Sequence, residues 1–179
     1  MKVILLLGLA VFCFAATEPT VSIGSLKSVE GAINDRLLSK VNDPYDLLGT
    51  ARGTYVEGNG AVFTFELNLV FGSSLAGTPF SPKVTELEIT AMHERKARKI
   101  ADLKETMRGL ATTACKTLQG LPAEENVMME AFLFSYHWEN TRGLPRRIVL
   151  TVQKQKLLDA VNRHATSAGI AALFTEQEL

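Results

Sequence analysis

The stretch "RGTYVEGNGAVFTFELNLV", Arg52 to Val70, decides the fold. Within it Phe63, Phe65, Leu67 and Leu69 alternate with Thr64, Glu66 and Asn68, the period of two that gives a strand one buried face and one wet face. "GTARGTYVE", residues 49–57, reads as its partner, with a glycine-rich turn between the two. Two turns are available. A two-residue loop at Asn59-Gly60 sets Arg52 opposite Leu67, on the buried side. A three-residue loop at Gly58-Asn59-Gly60 sets Tyr55 opposite Phe63 and Arg52 opposite Glu66, on the wet side. Burying an unpaired guanidinium costs several kcal/mol, whereas the Asn-Gly turn preference is worth about 1 kcal/mol or less. The three-residue loop is therefore expected, with a type I turn at Gly58-Asn59 and Gly60 in the left-handed region. Arg52, Thr54 and Val56 then lie outside with Thr64 and Glu66, and an Arg52–Glu66 pair contributes about 0.2–1 kcal/mol.

Working outward, Leu26, Val29, Ile33, Leu37 and Val41 recur at helical steps behind Ser25, a candidate N-cap, and Asn42-Asp43-Pro44 ends that helix. Residues 71–82, "FGSSLAGTPFSP", read as loop, and Ser81-Pro82 as the start of a long helical region reaching Gln119. Its apolar stripe is Leu103, Met107, Leu110, Ala114 and Leu118; residues 84–90 fit either helix or strand. "NVMMEAFLFSYHWE", 126–139, is apolar on both alternating faces and reads as a central strand covered on both sides. "RRIVLTVQ" pairs with it, and residues 154–174 close the chain as a helix with Leu157, Leu158, Val161, Ala165 and Ala168 inward. The expected fold class is α+β: a mostly antiparallel sheet of two hairpins packed against helices, in the order α-ββ-α-ββ-α.

The segment Arg52-Gly53-Tyr55-Gly58-Gly60-Phe63, R-G-x-Y-x-x-G-x-G-x-x-F, resembles a hairpin of uncharacterised exported bacterial proteins. That resemblance implies export and carries no activity or functional residues.

The N-terminus points the same way. A basic start, "MK", precedes the uncharged run Val3–Ala15, and polarity changes abruptly at "TEPT". This is the layout of a signal peptide, and the run is shorter than the ~20 residues of a membrane span. Residues 1–15 are expected to be removed, with Cys13 and Ala15 at the small positions before the cut. Residues 16–24 then form an extended lead-in and 25–179 one α+β domain, exported to the periplasm or outside. Bulky Phe12 fits poorly with lipidation of Cys13. Removal takes Lys2 away and leaves 18 basic against 19 acidic side chains, with no electrostatic footprint for nucleic acid. Cys115 is then the one cysteine, so no internal disulfide is expected; its place among "LATTACKTL" reads as a small buried hydrophobe.

Each chemical motif has a plainer reading beside it. "EGNGAV" lies between two strands, whereas a phosphate loop needs a strand before it and a helix after it. His93, His137 and His164 fall in three separate elements, with no second histidine one turn on, so no metal site is expected. "GSSLAG" has the wrong spacing for a nucleophile elbow. "HERKARK", 93–99, reads as a solvated helix face with i,i+4 pairs. His137-Trp138-Glu139, a titratable pair beside an aromatic at a strand end, is the candidate binding site, with Arg52 and Glu66 as a second pair. No catalytic residue and no cofactor stands out. The expected function is an exported cell-envelope binding or assembly module without catalysis, its partner an envelope protein or small ligand, with no membrane span after cleavage. A small envelope hydrolase using His137 and Glu139 near the 71–82 loop is the alternative. Self-association through an exposed face of the strand beginning near Val127 is a third reading.

Overall fold

The computed structural model describes residues 21–39, 44–71 and 84–179. The expected 1–15 leader with Cys13, most of the expected lead-in, Val41, the expected helix start at Ser81-Pro82 and nearly all of the expected 71–82 loop lie outside the described residues. Helix α1 (Ile23–Leu38) begins earlier than expected, because Ser22 and not Ser25 is the cap: the Ser22 hydroxyl accepts the Ser25 N–H at 3.1 Å. Its stripe of Leu26, Val29, Ile33 and Leu37 is buried as the spacing predicts.

Strands β1 (Asp46–Leu47) and β2 (Arg52–Val56) both pair antiparallel with β3 (Gly60–Asn68). The faces of the hairpin are as expected. Arg52, Thr54 and Val56 are exposed, while Ala61, Phe63, Phe65 and Leu67 are buried. The register is not as expected. Arg52 opposes Thr64, Gly53 opposes Phe63 and Tyr55 opposes Ala61, so Glu66 is not its cross-strand partner. The loop is Glu57-Gly58-Asn59, closed by the Asn59 N–H on the Val56 carbonyl at 3.0 Å, with Gly58 at φ +78°. A distant residue selects it: the buried Glu125 carboxylate accepts the Gly58 N–H at 2.9 Å and the Tyr55 hydroxyl at 3.2 Å. The shift is two residues, an even number, so every side chain keeps its face.

Helix α2 (Glu86–Thr117) carries a capping box in which Thr85 accepts the Glu88 N–H and Glu88 accepts the Thr85 N–H. Residues 86–90 are therefore helix, not strand. The helix joins β3 to β4 (Asn126–Leu133), and these two strands run parallel, the pairing for which a long crossover is required. β4 pairs antiparallel with β5 (Arg147–Gln153), as expected. The C-terminal region is not one helix. Lys154–Asn162 forms α3, His164 takes φ +54°, Ser167–Ala171 forms α4, and Thr175–Glu178 returns as strand β6 antiparallel to β5. Leu157 is buried, whereas Ala168 is exposed. The described chain is thus α+β, with four helices and a mixed, mostly antiparallel six-stranded sheet in the order β1-β3-β4-β5-β6, β2 also lying on β3.

The core lies between one face of this sheet and helices α1, α2 and α3. Phe63, Phe65 and Leu67 meet Val127, Met129 and Ala131, then Ile148, Leu150 and Val152, with Ile33, Leu103, Met107 and Leu157 above them. Cys115 is buried in the same core. Lys154 is buried too, and its ammonium donates to the carbonyls of Leu118 at 2.8 Å, Gln119 at 3.3 Å and Leu121 at 2.5 Å. A cation at the negative end of α2 offsets its own desolvation there. The other face of the sheet is a correction to the expectation for β4: no described helix covers it, and Phe132 on that face is 40% exposed. No helix among the described residues is long and apolar enough to cross a membrane.

Candidate functional site

The stripe of α2 extends back from Leu103 through Lys99 and Lys96, both buried, so "HERKARK" is not a wholly solvated face. Only its outer side, with the exposed Glu94–Arg98 pair at 3.9 Å, matches that expectation. An isolated buried ammonium is costly, and each lysine has partners. Lys96 Nζ donates to the Phe134 carbonyl at 3.1 Å and forms an ion pair with Glu139 Oε2 in which both side chains are 2% exposed. Lys99 Nζ donates to the Pro44 carbonyl at 3.3 Å and lies 4.7 Å from the centre of the Tyr45 ring, whose hydroxyl donates to Asp102 at 3.3 Å.

The Lys96 contacts hold the segment after β4 against the helix, and the Lys99 contacts hold Pro44 and Tyr45. β4 ends at Leu133, so His137, Trp138 and Glu139 sit in a turn and not at the end of a strand. The Glu139 N–H donates to the Tyr136 carbonyl at 3.1 Å, and His93 Nδ1–H donates to the Asn140 carbonyl at 2.9 Å. Phe134 meets Tyr136 edge-on at 5.0 Å, and Tyr136 stacks on Trp138 at 5.8 Å. Two buried polar atoms in this turn, Trp138 Nε1 and Glu139 Oε1, have no hydrogen-bond partner among the described residues. His137 is exposed.

The predicted residues therefore divide into two places. Glu139 is drawn in against α2 by Lys96, and Trp138 beside it stacks on Tyr136. Arg52 and Glu66 are exposed on the sheet face away from the helices, near Phe132, which lies opposite Glu66 on one side and Arg147 on the other. Arg147 bridges to Glu130 at 3.1 Å on this face. Among the described residues no group of histidine, cysteine, aspartate or glutamate is arranged to hold a metal ion.

A further cluster went unread in the sequence. An open groove of about 380 Å³ runs between α2, the loop before β5 and strand β6. Ile100, Leu144 and Pro145 form its apolar end. At the other end Lys104 pairs with both Glu176 and Glu178, and Arg108 donates to Glu176 at 3.0 Å. Burial pulls the Lys104 ammonium downward, but hydrogen bonds and charge from the two glutamates outweigh it, and the net direction is up. Arg108 Nε is buried with no partner among the described residues. The spacing of Lys104 and Arg108 was legible as one helix face, but "TEQE" carried no sign of being the strand opposite. No family model, curated protein or solved structure matches the chain.

Proposed function

We propose that the chain is an exported cell-envelope binding or assembly module that works without catalysis, and that its working surface is the sheet face opposite the helices. The observation that carries this reading is Phe132, 40% exposed near the end of the middle strand β4, with Val56 on the edge strand β2 45% exposed. Half-buried Val62 and Met128 lie between them in neighbouring strands. Arg52, Glu66 and the Glu130–Arg147 pair supply both signs of charge around this apolar strip. Such a strip of exposed apolar side chains interleaved with both signs of charge suits a protein partner. Export is supported by the basic start and the Val3–Ala15 run. The hydrolase alternative would need Glu139 to exchange protons with substrate, and its carboxylate is 2% exposed and tied to Lys96.

The test is Phe132→Lys in the mature chain. Sedimentation against concentration, together with cross-linking in the envelope fraction, should show an association that the substitution abolishes while the melting temperature holds. An association indifferent to Phe132→Lys would refute the surface. Hydrolysis in a substrate panel that disappears in folded His137→Ala would refute the non-catalytic reading.

A further inference from the structure

We infer that the groove between α2 and β6 accepts an extended peptide segment of a partner protein, which adds to β6 as a further strand. This rests on the binding-module reading and gives it a second surface of defined chemistry.

Leu179 and Arg147 exchange both backbone bonds, each at 2.9 Å. In an antiparallel ladder such pairs alternate with pairs that make no bonds to each other. Glu178 opposes Ile148 and Glu176 opposes Leu150, so these two fall on the unbonded positions. The N–H and C=O of Glu176 and Glu178 consequently point away from the sheet, and among the described residues no group bonds them. Two donors and two acceptors at alternate residues are what an added strand takes up.

The side chains leave the edge accessible. Short edge strands with charged residues ordinarily repel an incoming strand. Here Glu176 and Glu178 oppose core-facing residues, so they turn toward the helices and are neutralised by Lys104 and Arg108. The groove lies on that same side of the edge. Alternate side chains of an added strand would enter it, and small Ala101 on α2 leaves the space open. The walls specify the occupant: an aliphatic side chain fits against Ile100, Leu144 and Pro145, with a polar residue two positions along facing the ion cluster. A second copy of this chain fits less well, because antiparallel pairing of two β6 strands would bring Glu176 opposite Glu178 of the other copy.

The experiment selects peptides from a phage-displayed random octapeptide library on the mature protein, then measures synthetic versions of the enriched sequences. Glu178→Pro removes an outward N–H without touching a bond to β5, Ala101→Trp fills the groove, and Glu178→Gln keeps the backbone. The expected result is enrichment of peptides with aliphatic residues at alternate positions. Their binding should persist in Glu178→Gln and weaken about tenfold or more in both other variants, all three still melting cooperatively. The Glu176 and Glu178 amides should exchange more slowly with the peptide bound. Absence of enrichment, or peptides indifferent to Glu178→Pro and Ala101→Trp, would overturn the inference. So would a dimer that Glu178→Pro dissociates, since the occupant would then be a second copy. None of these outcomes bears on Phe132, so the groove can fail while the open face stands, and the reverse.

Discussion

The two edges of the sheet are finished in different ways. At the β2 edge, the Ala51 N–H donates to Asn34 Oδ1 at 2.9 Å and the Gly53 N–H donates to Glu30 Oε1 at 2.7 Å, both acceptors reaching over from α1. Two outward-facing backbone donors of that edge are thus satisfied within the described fold. At the β6 edge the corresponding groups of Glu176 and Glu178 face outward, and α2 engages only the side chains. An unsatisfied edge is a template for another strand. The difference teaches that α1 does two jobs, core packing and edge closure, whereas α2 neutralises its edge without closing it.

The comparison breaks most completely at Gly60. Its φ is +124°, and a Cβ would lie 1.9 Å from the Asn126 carbonyl oxygen, which is backbone and has no room to yield. Gly60→Ala should therefore push the hairpin off β4 and carry the β2 edge away from α1. The expected loss is about 3 kcal/mol or more, combining backbone strain with the clash. Urea denaturation should show a broad or absent transition. A cooperative transition at the wild-type midpoint would show that the hairpin is not fixed in this position.

Next in size is the edge closure itself. Replacing Glu30 and Asn34 together by Ala leaves the Gly53 and Ala51 amides without acceptors, at about 1–2 kcal/mol each. The urea midpoint should fall and light scattering on partial unfolding should rise, because the edge becomes a site for strand addition. If the doubly substituted protein keeps its midpoint, the two bonds contribute nothing net and the edges differ only in appearance.

How far this contrast was legible depends on the range of the interaction that produces it. The alternation from Phe63 to Leu69 is local and fixed the faces of the hairpin. Its register was not legible, because Glu125 chooses the turn from 67 residues away. The parallel pairing of β3 with β4 leaves no trace in either strand alone. β6 is short and polar throughout, so no period of two marked it, and it was hidden behind a helix broken at His164. At the candidate site, Trp138 and Glu139 were found by residue type, but Lys96, the partner that buries Glu139, lies 43 residues earlier. Lys96 and Lys99 do stand at helical steps from Leu103. Their charge suggested solvent, and only the carbonyls and the carboxylate brought by folding make that position tenable.

The smallest expected effect lies at the β6 edge and separates charge neutralisation from closure. Lys104 pairs with Glu176 and Glu178, which are 32% and 43% exposed, so solvent screens the interaction and Lys104→Gln should cost no more than about 1 kcal/mol at neutral pH. Its pH dependence has a definite sign. A lysine raised in the folded state contributes stability that is complete below its ordinary value near ~10.4 and is lost as the pH climbs through the folded value. The mutant and wild-type curves should therefore converge in strong alkali. Cys115 adds an alkaline loss of its own. Burial pushes its thiol up to about 12 against a smaller lowering by Lys154, so folded and unfolded chains differ in bound protons from near pH 9 upward. That difference lowers stability by about 1.4 kcal/mol per pH unit. The Lys104 measurement is therefore made in a Cys115→Ala background, where convergence above about pH 10 isolates the ion cluster. Curves that stay parallel through that range would mean that the glutamates of β6 do not hold the Lys104 charge, and the β6 edge would then be an ordinary charge-protected one.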